Sequence, residues 1–96
     1  MAIRLTVLYP KTDDGTFDHD YYANTHVPLC LSTWGLESAE VDKGIDGPYV
    51  AAVHFRFESV EEMSEKMSNP DSAKVRADVP NYTNLTPIRQ LSEIVG

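Results

Sequence analysis

Apolar and polar side chains alternate along three stretches of the chain, which is the pattern of a β-strand with one buried face. These stretches cover residues 2–9, 36–43 and 49–58, and a fourth strand is expected over residues 87–95. The third stretch is the most regular, with an apolar side chain at every second residue. The second stretch is more polar, so it is expected at an edge of the sheet or against a partner chain.

Residues 17–33 carry apolar side chains at the spacing of a helix with one buried face. Asp18 is expected to accept hydrogen bonds from the free amides of the first turn, and Gly35 stands where the helix should end. Pro28 has no amide hydrogen, and its ring crowds the carbonyl one turn earlier. The helix is therefore expected to bend or loosen within a turn of His26.

A second helix is expected after the third strand. Ser59 and Glu62 have the spacing of a capping box, in which the two side chains satisfy each other's free amides. Pro70 is suited to the first position of a further helical turn, and residues 77–84 are expected to be irregular. The order β-α-β-β-α-β predicts an α+β ferredoxin-like plait, with both helices on one face of an antiparallel sheet, in a single domain of residues 1–96.

The opposite face of this sheet would be uncovered. It contains Leu8 and Val50 among polar residues such as His54 and Arg56. Two such faces that pack together remove each other from water, so a symmetric homodimer through the open sheet face is expected. His54 is expected to contact solvent or the partner rather than to act in catalysis.

Composition narrows the range of partners. Fifteen acidic and eight basic side chains give a formal charge of −7, which argues against a nucleic-acid surface or an anionic membrane. The single cysteine, Cys30, excludes an intrachain disulfide, and no apolar run approaches about 18 residues. A cytoplasmic location is therefore expected. The three histidines and Cys30 match no metal-ligand spacing, so no metal is expected.

His26 is the candidate for chemistry. It lies on the apolar stripe of the first helix, with Tyr22 one turn before it and Cys30 one turn after it. An imidazole near its ordinary pKa of about 6.5 serves as general acid or base at neutral pH. We expect His26 to face a small pocket between the first helix and the sheet. The alternative is a packed, hydrogen-bonded core histidine, which is the commoner fate of such a residue.

Several segments resemble the EthD domain family, and together they span nearly the whole chain. The opening matches in VLYP, DG, FDxDYY and THxPL, at residues 7–10, 14–15, 17–22 and 25–29. The later part matches in AAxxFxFxSxE and DVPNYT, at residues 51–61 and 78–83.

This resemblance implies a dimeric α+β barrel, in which two plaits join through their sheets. The family is named after a small protein of an ethyl tert-butyl ether degradation cluster. Its members are commonly described as EthD family reductases, and related fungal domains act in polyketide modification. The recurring histidine of the family's H-x-P-L segment falls on His26, and the neighbouring tyrosines fall on Tyr21 and Tyr22.

Three functions compete. The first is a cofactor-free enzyme that acts on a small oxygenated organic molecule, cyclic or quinone-like, with His26 and Tyr22 as catalytic residues. Its substrate-binding residues would be Tyr21, Leu29, Trp34 and Tyr82. The second is an accessory protein that shelters a reactive molecule for a partner oxygenase. The third is a structural dimer with an inert His26.

No cofactor is expected, because Tyr9 to Asp13 stand where a dinucleotide-binding fold carries its glycine-rich loop. Covalent catalysis by Cys30 is disfavoured, since His26 is the only neighbouring side chain in the sequence that could lower the pKa of the thiol.

Overall fold

A computed structural model describes all 96 residues. The strands are β1 (Ile3–Pro10), β2 (Glu40–Lys43), β3 (Tyr49–Phe57) and β4 (Ile88–Glu93). They form one sheet in the order β2-β3-β1-β4, and each neighbouring pair is antiparallel.

Helices fill the two connections that cross the sheet. The first consists of α1 (His19–Tyr21), a π-helical turn (Tyr22–His26) and α2 (Val27–Trp34), in direct succession. The second consists of α3 (Val60–Met67), α4 (Ser72–Asp78) and a 3₁₀ turn (Val79–Asn81). This order confirms the predicted ferredoxin-like plait. None of these helices combines the length and the apolarity needed to cross a membrane.

The hydrophobic core lies between the helices and one face of the sheet. Alternate residues of β1 and β3 point into it, as their sequence pattern predicts, and α2 and α4 cover them. The buried side chains from these elements are Ile3, Leu5, Tyr9, Ala51, Val53, Phe55, Phe57, Val27, Cys30, Trp34 and Val75. The other face of β1 carries Arg4, Thr6 and Leu8, and no helix covers it.

The cap at the end of the first helical connection makes the second strand start later than predicted. Gly35 adopts φ 65°, the left-handed conformation that glycine accepts without strain, and the amide of Leu36 donates back to the carbonyl of Leu31 at 2.9 Å. This cap folds Leu36 onto the core. The strand predicted over residues 36–43 is therefore wrong over its first half, and β2 begins at Glu40.

Three details of the second helical connection also differ from the sequence prediction. Ser59 accepts from the amide of Glu62 at 3.1 Å, but the Glu62 carboxylate accepts from the amide of Glu58 instead of closing the box on Ser59. The helix after Pro70 begins at Ser72 rather than at the proline. Residues 77–84, predicted to be irregular, contain the end of α4 and the 3₁₀ turn.

Candidate functional site

A local widening of the first helix positions the candidate residues. Asp18 caps the helix, as predicted, because its Oδ1 accepts from the amide of Tyr21 at 3.0 Å. The amide of Val27 then donates to the carbonyl of Tyr22, five residues back, which defines a π-helical turn. The turn ends two residues before Pro28, whose ring crowds the carbonyl of Asn24 within the turn and disfavours a regular α-helix there. The predicted loosening near His26 is confirmed.

The imidazole of His26 is enclosed by three side chains. Only 4% of the residue is exposed. The ring of Tyr22 stacks on it, with centroids 5.5 Å apart and planes inclined by 16°. Nδ1 lies 2.9 Å from Oδ2 of Asp78, and Nε2 lies 3.5 Å from the hydroxyl of Tyr82. Both ring nitrogens therefore face protein groups.

Asp78, at the end of α4, joins several elements of the site. Besides its contact with His26, its Oδ1 accepts from the hydroxyl of Tyr21 at 2.6 Å and from the side-chain amide of Asn81 at 2.9 Å. Burial alone would raise the pKa of Asp78, but the hydrogen bonds from Tyr21, Asn81 and His26 outweigh it and lower the pKa. The carboxylate is therefore ionised at neutral pH, and it can only accept hydrogen bonds.

The ionised carboxylate fixes the tautomer of the imidazole. Nδ1 of His26 must donate to Asp78, which leaves the lone pair on Nε2. Burial lowers the pKa of His26, and Asp78 partly offsets this effect. The ring is consequently neutral at pH 7, with its basic nitrogen next to the Tyr82 hydroxyl.

Two further tyrosines complete the polar interior. The hydroxyls of Tyr9 and Tyr82 lie 2.6 Å apart. Burial raises the pKa of Tyr82 and of Tyr22 well above the ordinary value, so both phenols stay protonated. We call the group that these contacts join the His26 cluster, and it comprises Tyr9, Tyr21, Tyr22, His26, Asp78 and Tyr82.

The structure gathers four of the six predicted site residues in this cluster, and Leu29 and Trp34 are not part of it. His26, Tyr21, Tyr22 and Tyr82 belong to the cluster, while Leu29 is half-buried against the core. Trp34 lies at the other end of α2, about 12 Å along the helix axis from His26 at 1.5 Å per residue. Its Nε1 donates to the Ser72 hydroxyl at 2.9 Å.

Sequence reasoning missed Tyr9, Asp78 and Asn81. In the sequence, Tyr9 is one apolar residue of the alternating β1 pattern, and this pattern does not predict the contact of its hydroxyl with Tyr82. Asp78 and Asn81 lie in the DVPNYT segment, whose resemblance to the EthD family does not by itself give its polar side chains a role. The signal in the sequence for this part of the site is the carboxylate of Asp78, four residues before Tyr82.

His26 lines none of the five main hollows of the protein, so none of them is the pocket expected to reach its ring. The hollow of about 390 Å³ beside the cluster includes Tyr82, Asn81 and Phe17. A second hollow of about 270 Å³ lies between the sheet and the helices, and Trp34 forms part of its wall. Of the predicted pocket residues, Tyr82 lines the first of these hollows and Trp34 lines the second, while Tyr21 and Leu29 line neither.

The remaining candidates for chemistry are a group of metal ligands and the thiol of Cys30. No three histidine, cysteine, aspartate or glutamate side chains lie close enough together to hold a metal ion. Burial raises the pKa of the Cys30 thiol to about 12, so the thiolate that covalent catalysis needs is scarce.

His54 lies on the open face of the sheet, where the sequence pattern placed it. Its Nδ1 is 3.0 Å from the Thr6 hydroxyl, and its Nε2 is 2.8 Å from the carboxylate of Asp42. Its side chain remains 24% exposed, so it still contacts solvent in the isolated chain.

Comparisons with known proteins place this chain in a family. A scan against protein-family models and a search of curated proteins gave no match. Among solved structures, an EthD-like protein from Ralstonia eutropha JMP134 is 33% identical, with a TM-score of 0.91 over 99% of this chain and 93% of that one.

Two more distant structures share the fold. An ethyl tert-butyl ether d (EthD) family protein from Bacillus halodurans C-125 is 18% identical, with a TM-score of 0.77 over 99% of this chain and 100% of that one. A dimeric ferredoxin-like protein of unknown function from Thermobifida fusca YX is 16% identical, with a TM-score of 0.65 over 98% and 92%. The identity and full-length match to the Ralstonia protein decide the family, and the chain described here belongs to the EthD-like proteins.

Proposed function

We propose that this protein acts on a small oxygenated organic molecule by proton transfer, with His26 as general base and acid. The observation that carries the proposal is the 2.9 Å contact between Nδ1 of His26 and Asp78. The contact fixes the tautomer and leaves Nε2 as the proton acceptor, which is the arrangement that general-base catalysis requires. Tyr22, stacked on the ring, holds its orientation.

The simplest reaction of this kind is proton exchange next to a carbonyl group. Nε2 of His26 accepts the proton from the carbon, and the C–H electron pair moves into the enolate. The protonated Tyr82 hydroxyl donates a hydrogen bond to the enolate oxygen. Return of the proton from Nε2 regenerates the substrate or its isomer.

Access to Nε2 requires the Tyr82 ring to move, because its hydroxyl occupies the position next to that nitrogen. The 390 Å³ hollow that Tyr82 lines is the proposed approach for the substrate. The 3.5 Å separation between Nε2 and the hydroxyl is longer than an ordinary hydrogen bond. Tyr82 is thus less firmly bound to His26 than Asp78 is.

The test is hydrogen–deuterium exchange in D₂O, followed by NMR on a panel of cyclic diketones and quinols. His26→Gln should lower the exchange rate by roughly 10²–10⁴-fold, the usual contribution of a general base. His19→Gln is the matched control, since His19 makes no side-chain hydrogen bond and lies outside the cluster. Equal exchange rates in the wild type and a folded His26→Gln variant would contradict the proposal.

A second candidate, a binding or accessory protein without catalysis, is favoured by the burial of His26. A ring that is 4% exposed and lines no main hollow does not meet a ligand in this state. If the protein only binds its ligand, members of the panel would bind to His26→Gln with the same affinity as to the wild type. None of them would exchange protons faster with the protein than in buffer alone.

We also propose that the protein is a homodimer joined through its open sheet faces, as an α+β barrel. On this face Leu8 lies directly between Ala52 of β3 and Ile88 of β4. The residue Ile88 is 48% exposed in the isolated chain. The Thermobifida protein of the same fold is described as dimeric.

A further inference from the structure

We propose that the pocket beside Trp34 is a binding site for a small amphiphilic carboxylate, whose charged end lies between Arg76 and Arg89. This pocket is separate from the His26 cluster. The proposal goes beyond the proposed function and does not require His26 to be reactive.

The pocket has a volume of about 270 Å³ and lies under α4, next to β4. Its body is apolar, with walls from the sheet, α2, α3, α4 and the segment before β4. The apolar wall residues are Leu5, Val7, Trp34, Met67, Val75 and Pro87. Most small-molecule sites occupy about 300–1,000 Å³, so a ligand with one ring or a short alkyl chain fits this space best.

The polar groups of the inner wall are already satisfied by each other. The indole of Trp34 donates to Ser72, and the hydroxyl of Ser72 donates to the carbonyl of Met67 at 2.8 Å. The ring of Trp34 is further fixed edge-on against Phe55, with centroids 5.4 Å apart. The interior is therefore rigid and offers a ligand mainly apolar contact, which suits the hydrocarbon part of an amphiphile.

The two arginines supply the missing polar contact. Arg76 comes from α4 and Arg89 from β4, and both are exposed parts of the pocket wall. Neither lies within 4 Å of a carboxylate, whereas Arg56 pairs with Glu58. In a chain with fifteen acidic and eight basic side chains, two guanidinium groups without a carboxylate partner at one pocket are available to bind another anion.

A carboxylate matches this arrangement. Its two oxygens accept paired hydrogen bonds from a planar guanidinium group, and its negative charge complements the two arginines of the pocket wall. A bare inorganic anion would use the arginines but leave the apolar walls in contact with water. The combination of charge and apolar surface thus favours an amphiphilic acid.

The pocket would stay open in the proposed dimer. Arg89 pairs in register with Val7 of β1, so it points to the helix side of the sheet. Its neighbours Ile88 and Gln90 point to the open face that the partner would cover. Binding at the pocket and formation of the dimer therefore use opposite faces of β4.

The experiment follows Trp34, the single tryptophan of the chain, during titration with cyclohexanecarboxylate. This acid does not absorb where tryptophan does, so both the emission and the indole N–H signal in NMR report on the pocket. Cyclohexylmethanol is the neutral control. We expect a saturable change with the acid, and affinity at least tenfold lower for the alcohol, since hydrogen bonds to charged groups exceed neutral ones.

Two charge-removing variants test the arginines. Arg76→Gln and Arg89→Gln should each weaken binding of the acid about tenfold without affecting the alcohol, and Arg56→Gln is the matched control. His26→Gln should bind the acid as the wild type does, so this result is independent of the proposed catalysis. The proposal is overturned if the acid gives no saturable signal, if the alcohol binds equally well, or if both arginine variants keep wild-type affinity.

Discussion

The carboxylate of Asp78 is expected to be the strongest single polar contributor to stability in this fold. It accepts hydrogen bonds from three donors on three different segments, namely His26, Tyr21 and Asn81. Substitution of Asp78 by alanine leaves all three donors without an acceptor. The loss of unfolding free energy depends on which of these donors can form a hydrogen bond to water instead.

The burial of each donor sets the magnitude. Nδ1 of His26 belongs to a side chain that is 5% exposed, so its lost hydrogen bond costs about 1–3 kcal/mol. Tyr21 is half-buried and Asn81 is exposed, so each can bind water, and each adds at most about 0.5 kcal/mol. The sum is about 1–4 kcal/mol, or a fall in the unfolding midpoint of roughly 4–30 °C for a domain of this size.

The assay is urea and thermal unfolding, followed by circular dichroism at one fixed protein concentration, because a dimer's stability depends on concentration. Asp71→Ala is the control. Asp71 lies just before α4, and its carboxylate pairs only with the exposed Lys74 at 3.4 Å, so loss of this side chain should cost under about 0.5 kcal/mol. If Asp78→Ala unfolds within about 0.5 kcal/mol of the wild type, the carboxylate does not hold the cluster together.

Two further predictions concern pH and assembly. Because the pKa of folded His26 lies below its ordinary value of 6.5, the unfolded chain binds the proton first as pH falls. The stability that the neutral ring contributes is then complete above pH 6.5 and is lost as pH falls from there through the folded pKa. The difference in unfolding free energy between the wild type and His26→Gln should therefore narrow below pH 6.5. A difference that stays constant with pH in urea unfolding would refute this. For assembly, Ile88→Asp should convert the proposed dimer to a monomer in light-scattering chromatography. The control Ile45→Asp, at a fully exposed loop position, should not change the oligomeric state. A dimeric Ile88→Asp protein would exclude the open face as the interface.

Local rules were sufficient for most of the fold. The alternation in β3, the cap at Asp18 and the stop at Gly35 each depend on residues within a few positions of one another, and all appear as expected. The failure at residues 36–39 has the same local origin. Alternation favoured a strand there, but the glycine cap turns Leu36 back onto the helix that has just ended.

The partners of His26 could not be predicted in this way. Asp78 is 52 residues away along the chain, and Tyr9 and Tyr82 are joined across 73 residues. Helical periodicity places His26 on the inner face, but it does not say whether that face borders a cavity or another side chain. Here the rings of Tyr22 and Tyr82 occupy the space that was expected to be empty.

Burial has two opposite consequences for the chemistry of His26. Removal from water lowers the pKa of the imidazole and keeps its Nε2 unprotonated, which is the form that a base needs. The same burial places Tyr82 between that nitrogen and any substrate. Asp78 does not move Tyr82 away from Nε2, because its contact is with Nδ1 on the other side of the ring and sets only the tautomer and the orientation of the ring. The two candidate functions therefore differ in a single physical quantity, the free energy needed to move the Tyr82 ring away from Nε2: a small cost makes the enclosed histidine a base, and a large one leaves it as part of the core.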